Sequence, residues 1–226
     1  MGETKRDGSA APGRQDPIVR KTYHHGSVPS ALHAAARQSL EGGDPEQLGL
    51  RDLARRIGVS PTAAYRHFTN KEDLMASVAA EGFQELTEAM KVAEDGAQPV
   101  VDIGLAYVEF ALSHPGLFRL MFGPLLTDRE KHEGLRDSAA AALAVVETLG
   151  RGASDAGRRA SAMVSYSAIH GLANLSLMNV LSKTEARALA QDVLLQVQEM
   201  TVADRSESTE SAPTDFAAPG PAPSAG

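Results

Sequence analysis

Apolar side chains recur every three or four residues along most of the chain, and no segment shows the two-residue alternation of a strand. The expected fold is therefore all-α. Ala31, Leu32, Ala35, Ala36 and Leu40 mark the inner side of a first helix over 29–40, which Gly42-Gly43-Asp44-Pro45 ends. Leu50, Leu53, Ala54 and Ile57 mark a short second helix. Leu74, Met75, Val78, Phe83, Leu86 and Met90 predict a long one from Lys71 to about Ala93, broken by the run from Glu94 to Pro99. Further helical stretches are expected over Val100–Ser113, Leu117–Phe122, about Asp128–Leu149, Arg158–Leu181 and Thr184–Met200, each bounded by Gly, Pro or Ser.

The short second helix is followed by punctuation with a chemical meaning. Gly58 suits the left-handed residue that ends a helix, and Ser60-Pro61 supplies an N-cap and a first-turn proline for the next. Leu50–Ile57 and Pro61–Phe68 then form a helix-turn-helix, a unit whose second helix enters the DNA major groove. Thr62 and Ala63 are small enough to let that helix approach base edges, and Tyr65, Arg66 and His67 carry donors for phosphates or bases. Thr69 and Glu72 read as a capping box for the long helix, with Lys71 in its first turn beside backbone N–H groups that favour a phosphate. From this pattern alone, an ordinary helical hairpin with solvated charges remains open.

The stretch from Arg158 to Leu181 is so apolar that burial on more than one side is expected, in a domain centre or against another subunit. Tyr166, His170 and Asn174 lie four residues apart on one face of it. They read either as polar groups lining a ligand cavity or as buried side chains bonded to backbone or across an interface.

Charge sharpens the first unit. Residues 20–71 hold eight Lys/Arg against four Asp/Glu, net +4 in a chain whose total is −7, which leaves −11 elsewhere. Phosphate contact is permitted there and discouraged over the rest. The chain has no Cys, which removes disulfides, thiol nucleophiles and Cys-containing metal sites. His24-His25 has no partner cluster in the sequence, so no metal and no cofactor are expected. No Ser/His/Asp constellation, Gly-rich phosphate loop or Glu-x-x-His pair is visible, and catalysis is not expected. The start lacks a signal-peptide apolar stretch, and the longest apolar run, Ala139–Val146, is too short to span a bilayer. A cytoplasmic location away from membranes follows as an expectation. Residues 1–22 and 203–226 are Gly-, Pro- and Ala-rich with few large apolar residues and are expected to be disordered.

The string Ile57-Gly-Val-Ser-x-x-Ala-x-Tyr-x-His-Phe-x-Asn-Lys-Glu-Asp-Leu74, with Tyr23-His24-His25-Gly26 upstream, resembles the DNA-binding segment of the TetR/AcrR family of transcriptional regulators. Leu112-x-His114-Pro115-x-x-Phe118-Arg119-Leu120-Met121-Phe122 and Ser167-Ala-Ile-His170-Gly171-Leu172 are similar to a subgroup whose C-terminal domain bears Trp-x-x-x-His-Gly, with Tyr166 here at the Trp position. The resemblance implies a DNA-binding head over 23–72, a helical regulatory and dimerisation domain over 73–202, and a homodimer through 158–181 and 184–200. It implies DNA contacts by Arg51, Ser60, Thr62, Ala63, Tyr65, Arg66, His67 and Lys71. A small-molecule effector would sit among Tyr107, Phe118, Met121, Phe122, Tyr166, His170 and Asn174. The implied function is a homodimeric repressor released from a near-palindromic operator by its ligand. An activator or a ligandless repressor would share the same head, whereas an interaction protein with a degenerate head would lack the intact Tyr65 and Lys71 seen here.

Overall fold

The computed structural model describes residues 27–42, 49–124, 126, 131–150 and 154–210, with the side chains of 199–210 left out. Among the described residues there are nine helices and no strand. They are α1 (Val28–Gly42), α2 (Leu50–Arg56), α3 (Pro61–Tyr65), α4 (Lys71–Glu94), α5 (Pro99–Ser113), α6 (Pro115–Phe122), α7 (Glu133–Glu147), α8 (Asp155–Leu177) and α9 (Lys183–Glu210). None is long and apolar enough to cross a membrane.

α1, α2 and α3 fold around Leu32, Ala36, Leu40, Leu53, Ala54 and Ala64, and the start of α4 closes this small head with Leu74. The head continues into the body without a break in the apolar core. α5 buries most of its circumference because α4, α6, α8 and α9 all pack on it, with Glu109 left at the surface. α9 approaches it so closely at Gly104 that a Cβ there would collide with Leu194. The head is fixed to the body along α1. Arg37 forks onto Glu85, with Nη2 donating to Oε2 at 2.7 Å, and also faces Glu81 at 3.5 Å. His33 Nδ1 lies 3.0 Å from Glu81 Oε2 and Nε2 lies 2.7 Å from Ser77 Oγ. At the far end of α1, Gly116 of α6 sits against the Leu40 carbonyl, where any Cβ would collide with backbone.

Several element ends differ from the sequence expectation, each for a local reason. α3 stops at Tyr65, and His67 and Phe68 both donate back to the Ala64 carbonyl in a tight turn. That turn buries Phe68 beside the His33 ring, 5.7 Å centre to centre. The Thr69–Glu72 box does not form. Asn70 caps α4 instead, accepting from Asp73 N at 2.8 Å, while Asp73 Oδ2 accepts from Thr69 N at 3.0 Å. α7 begins at Glu133 rather than near Asp128, and residues 128–130 lie outside the described ones.

The helix expected over 158–181 is shifted to Asp155–Leu177. Ser154 caps its start, and Asn179 ends it at φ +58 with Val180 N bonded to Leu175 O at 2.9 Å. That is the helix-ending motif usually served by Gly, here taken by Asn. α8 also buries one face only, through Ala162, Ser165, Ile169, Ala173 and Ser176. α9 starts one residue earlier than expected, on a reciprocal Ser182–Glu185 capping box. It runs to Glu210, so 203–210 of the tail expected to be disordered are helical. The expected arm at 1–22, His24-His25 and residues 211–226 lie outside the described residues.

Candidate functional site

The helix-turn-helix is built by backbone bonds that its sequence encodes. Gly58 takes φ +75, which lets Gly58 N reach Arg55 O at 3.1 Å and Val59 N reach Ala54 O at 3.0 Å, closing α2. Ser60 Oγ accepts from Ala63 N at 3.2 Å and Pro61 opens α3. Only Ala64 of α3 is buried, so the short helix is pinned along one line and turns the rest outward. Thr62, Tyr65, Arg66 and His67 are exposed, Tyr65 to 44%, a large value for an aromatic ring. Ala63 and Lys71 are half-buried beside them, and Ser60 and Arg51 are exposed.

The three arginines of α2 are not equivalent. Arg55 is paired with Asp52 at 2.7 Å and Arg56 donates to Ser39 Oγ. Arg51 and Arg66 have no side-chain partner among the described residues. Two guanidinium groups of the helix-turn-helix are thus left to water.

In the body, a cavity of about 400 Å³ opens between α4, α5, α7 and α8. Phe83, Leu86 and Met90 of α4 form one wall, and Ala139, Ala142 and Val146 of α7 face it. Tyr107, Phe122, Met163 and Tyr166 complete it, and Leu143, 41% exposed, stands at its mouth. Tyr107 OH lies 2.7 Å from His170 Nδ1 and is also hydrogen-bonded with Tyr166. Burial, with the neighbouring Tyr166 second, holds the Tyr107 phenol far above its ordinary proton affinity. Burial likewise pushes the His170 imidazole below its ordinary value, towards the neutral form.

Of the residues named from the sequence, Tyr107, Phe122 and Tyr166 line this cavity and His170 backs it. Phe118 is fully buried behind them, its ring 4.6 Å from Phe122 and 5.5 Å from His170. Met121 is buried under Gly82, where a Cβ would come within 2.7 Å of its sulfur. Asn174 turns away and donates to the His170 carbonyl at 2.8 Å, one helical turn back. The α4 and α7 walls went unrecognised as cavity lining. Their residues read as ordinary core positions, and periodicity carries no sign of unfilled space behind them.

A second, more open crevice of about 650 Å³ lies between α1, α4 and the start of α7, edged by Asp73, Glu81, Lys131 and Glu133. Among the described residues no group of three or more His, Cys, Asp or Glu could hold a metal ion.

Comparison with known proteins agrees with both halves. Residues 32–78 match the model of bacterial regulatory proteins of the tetR family, and residues 100–197 match a tetracyclin repressor-like C-terminal domain. An uncharacterized HTH-type transcriptional regulator of Haemophilus influenzae is 31% identical over 78 residues, which is 33% of this chain and 38% of that protein. A structure of a protein of unknown function from Rhodococcus sp. RHA1 is similar with a TM-score of 0.68 at 28% identity, over 80% of this chain and 98% of that one. The Bacillus subtilis regulator FadR, solved with stearoyl-CoA, shares the fold with a TM-score of 0.60 at 16% identity, over 74% of this chain and 96% of that one. With its head and its body each matched to the family's own domains, this chain belongs to the TetR family of transcriptional regulators.

Proposed function

We propose that the chain is a homodimeric repressor that binds a near-palindromic operator and is released from it by a small molecule held in the α4–α8 cavity. The observation that carries this reading is one continuous helix. α4 begins at Lys71 beside the outward face of α3 and reaches the cavity with Phe83, Leu86 and Met90. Its 24 residues make a rod of about 36 Å at 1.5 Å per residue, so a change at the cavity end is felt at the head. Arg51, Thr62, Ala63 and Arg66 are the base-facing side chains, and Ser60, Tyr65, His67 and Lys71 hold phosphates. The head spans 23–72 and the regulatory body 73–202.

Dimerisation through α8 and α9 is supported by an apolar stripe. Val164, Ala168, Gly171, Leu175 and Met178 recur at alternating intervals of four and three, the rhythm of a coiled-coil seam. Val164, Leu175 and Met178 are exposed, as is Leu189 of α9. A Cβ on Gly171 would meet nothing within 4 Å in this chain, so the close approach that Gly permits is left for a second copy. FadR of the same fold was solved with stearoyl-CoA, so the fold takes a small molecule in that protein. Here the effector binds the form whose heads are mis-spaced for adjacent major grooves more tightly than the DNA-competent form. One coupling free energy, typically about 1–3 kcal/mol, opposes the two ligands.

The test is an electrophoretic mobility shift on DNA flanking the protein's own gene, across a salt series, with Tyr65→Ala beside the parent. Specific binding that falls steeply with salt and is lost in the variant is expected. Equal retardation of flanking and random DNA by both proteins would overturn the reading.

A further inference from the structure

The cavity walls specify the chemistry of what enters. Among the described residues no Lys, Arg, Asp, Glu or His lines it, and the surfaces that do are Phe, Leu, Met, Val, Ala and two Tyr. An ionised carboxylate, phosphate or ammonium would lose its water there without meeting an opposite charge. His170 does not supply one. It stands behind Tyr107, and burial favours its neutral form.

The polar atoms that remain form a chain that can run in either direction. With the proton of His170 on Nε2, Tyr107 O–H donates to Nδ1 and Tyr166 O–H donates to Tyr107, which leaves Tyr166 as an acceptor towards the cavity. With the proton on Nδ1, every donor reverses and the Tyr166 hydroxyl hydrogen is the one presented. A neutral imidazole allows both, so the wall adapts to a hydroxyl, an N–H or a carbonyl. For size, a 150 Å³ protein cavity holds benzene, with six carbons, so 400 Å³ corresponds to about 16 non-hydrogen atoms.

We propose that this cavity takes an uncharged, mostly hydrocarbon molecule of about 16 non-hydrogen atoms with one neutral hydrogen-bonding group, which is read by the Tyr166–Tyr107–His170 chain. This rests on the effector reading above and narrows it to a chemical class. The same wall rejects amphiphiles whose charged head must enter with the tail.

The test uses three probes of one frame on the full chain: 1-phenylnaphthalene, N-phenyl-1-naphthylamine and 8-anilinonaphthalene-1-sulfonate. Fluorescence titration should give saturable binding of the amine at one site per chain, and the sulfonate should displace it at least about tenfold less well. Ala142→Phe fills the cavity and should abolish amine binding, and Leu143→Trp at the mouth repeats the test if the first variant does not fold. Tyr166→Phe should weaken the amine by about two- to tenfold and leave displacement by 1-phenylnaphthalene unchanged. Equal competition by the sulfonate, or amine binding that survives both filling variants, would overturn the proposal. Equal loss of amine and hydrocarbon in Tyr166→Phe would overturn its hydrogen-bonding part. A mobility shift on the same preparations separates the two readings. Specific DNA binding without amine binding sinks the ligand class alone, and amine binding without any DNA binding sinks the regulator reading alone.

Discussion

Two exposed faces of this chain are supported alike from behind and differ in front. α3 is seated on Ala64, and Thr62 and Tyr65 of α3 with Arg66 and His67 just after it are exposed. α8 is seated on Ala162, Ser165, Ile169, Ala173 and Ser176 and presents Val164, Leu175 and Met178. Both helices are seated on buried residues, so neither face is there for want of packing. Water solvates the first face readily and the second poorly. The contrast teaches which partner can come and go. A polar face tolerates long periods without DNA, whereas an apolar seam favours a standing partner, which in the proposed dimer would be a second copy of α8 and α9.

Placing a charge in the seam should break this contrast most strongly. In a two-fold dimer Leu175→Glu puts two carboxylates into one apolar interface, each costing several kcal/mol if left unpaired. Sedimentation should show the variant as a monomer at concentrations where the parent is a dimer, with dimerisation weaker by at least about 100-fold. Helical content should be unchanged, because Leu175 is 39% exposed in the single chain. A variant that remains dimeric would move the interface off α8. The same variant should lose operator affinity, since two half-sites then have no common scaffold.

The polar face responds in smaller steps that separate its two kinds of contact. Arg66→Ala should cost about 1–3 kcal/mol per half-site and relax the preference at one base position. Lys71→Ala should weaken all sequences evenly and lower the slope of log affinity against log salt by about one per subunit. Both variants should remain folded dimers, because Arg66 is exposed and Lys71 is only half-buried at the helix start. If Lys71→Ala bound DNA with the parent's affinity and salt slope, the phosphate-side assignment would be wrong.

Whether the two faces are mechanically joined is tested at Gly116. A Cβ there meets the Leu40 carbonyl, and a backbone atom cannot move aside as a flexible side chain would. Gly116→Ala should therefore cost about 1–3 kcal/mol of stability, the usual range for overpacking, read as a lowered denaturation midpoint. α1 also grips α4 through Arg37–Glu85 and His33–Glu81, so the head should stay attached while its angle shifts. Reduced operator affinity with an intact dimer is the expected signature. Unchanged stability and affinity would mean that the α1–α6 contact does not set the angle of the head.

The head was legible in the sequence because its determinants are local. Gly58, Ser60 and Pro61 act on backbone groups within five residues of themselves: Gly58 and Ser60 make the bonds that their types suggest, and Pro61 takes the first turn of α3. Where element ends differ from the expectation, the cause is local too. Asn70 caps α4 in place of Thr69, taking Asp73 N while the Asp73 carboxylate takes Thr69 N, and Asn179 and Ser182-x-x-Glu185 are end signals of the same local kind. The cavity was legible only in part. Tyr107, Phe122 and Tyr166 were named, but its other walls come from α4 and α7, whose Phe83, Leu86 and Val146 have the same inward periodicity as filled core. Asn174 shares a face with Tyr166 and His170 yet bonds to its own backbone, an outcome that spacing does not decide.

The smallest expected effect concerns the support of the apolar face. His170 sits one residue before Gly171 of the seam, among the rings of Tyr107, Phe118, Phe122 and Tyr166, and burial lowers its proton affinity. In the unfolded chain it binds a proton near its ordinary value of about 6.5. Below that pH the unfolded state holds the extra proton and the folded state does not, so stability falls as pH drops. The loss begins as pH passes about 6.5 and levels off once the folded form also protonates. His170→Gln retains a hydrogen-bonding group for Tyr107 and does not titrate. The difference in melting temperature between parent and variant should be constant above about pH 7.5 and move against the parent as pH falls through 6.5. Parallel curves down to pH 5 would mean that His170 takes its proton as readily folded as unfolded, and a neutral wall behind the cavity could then not be maintained.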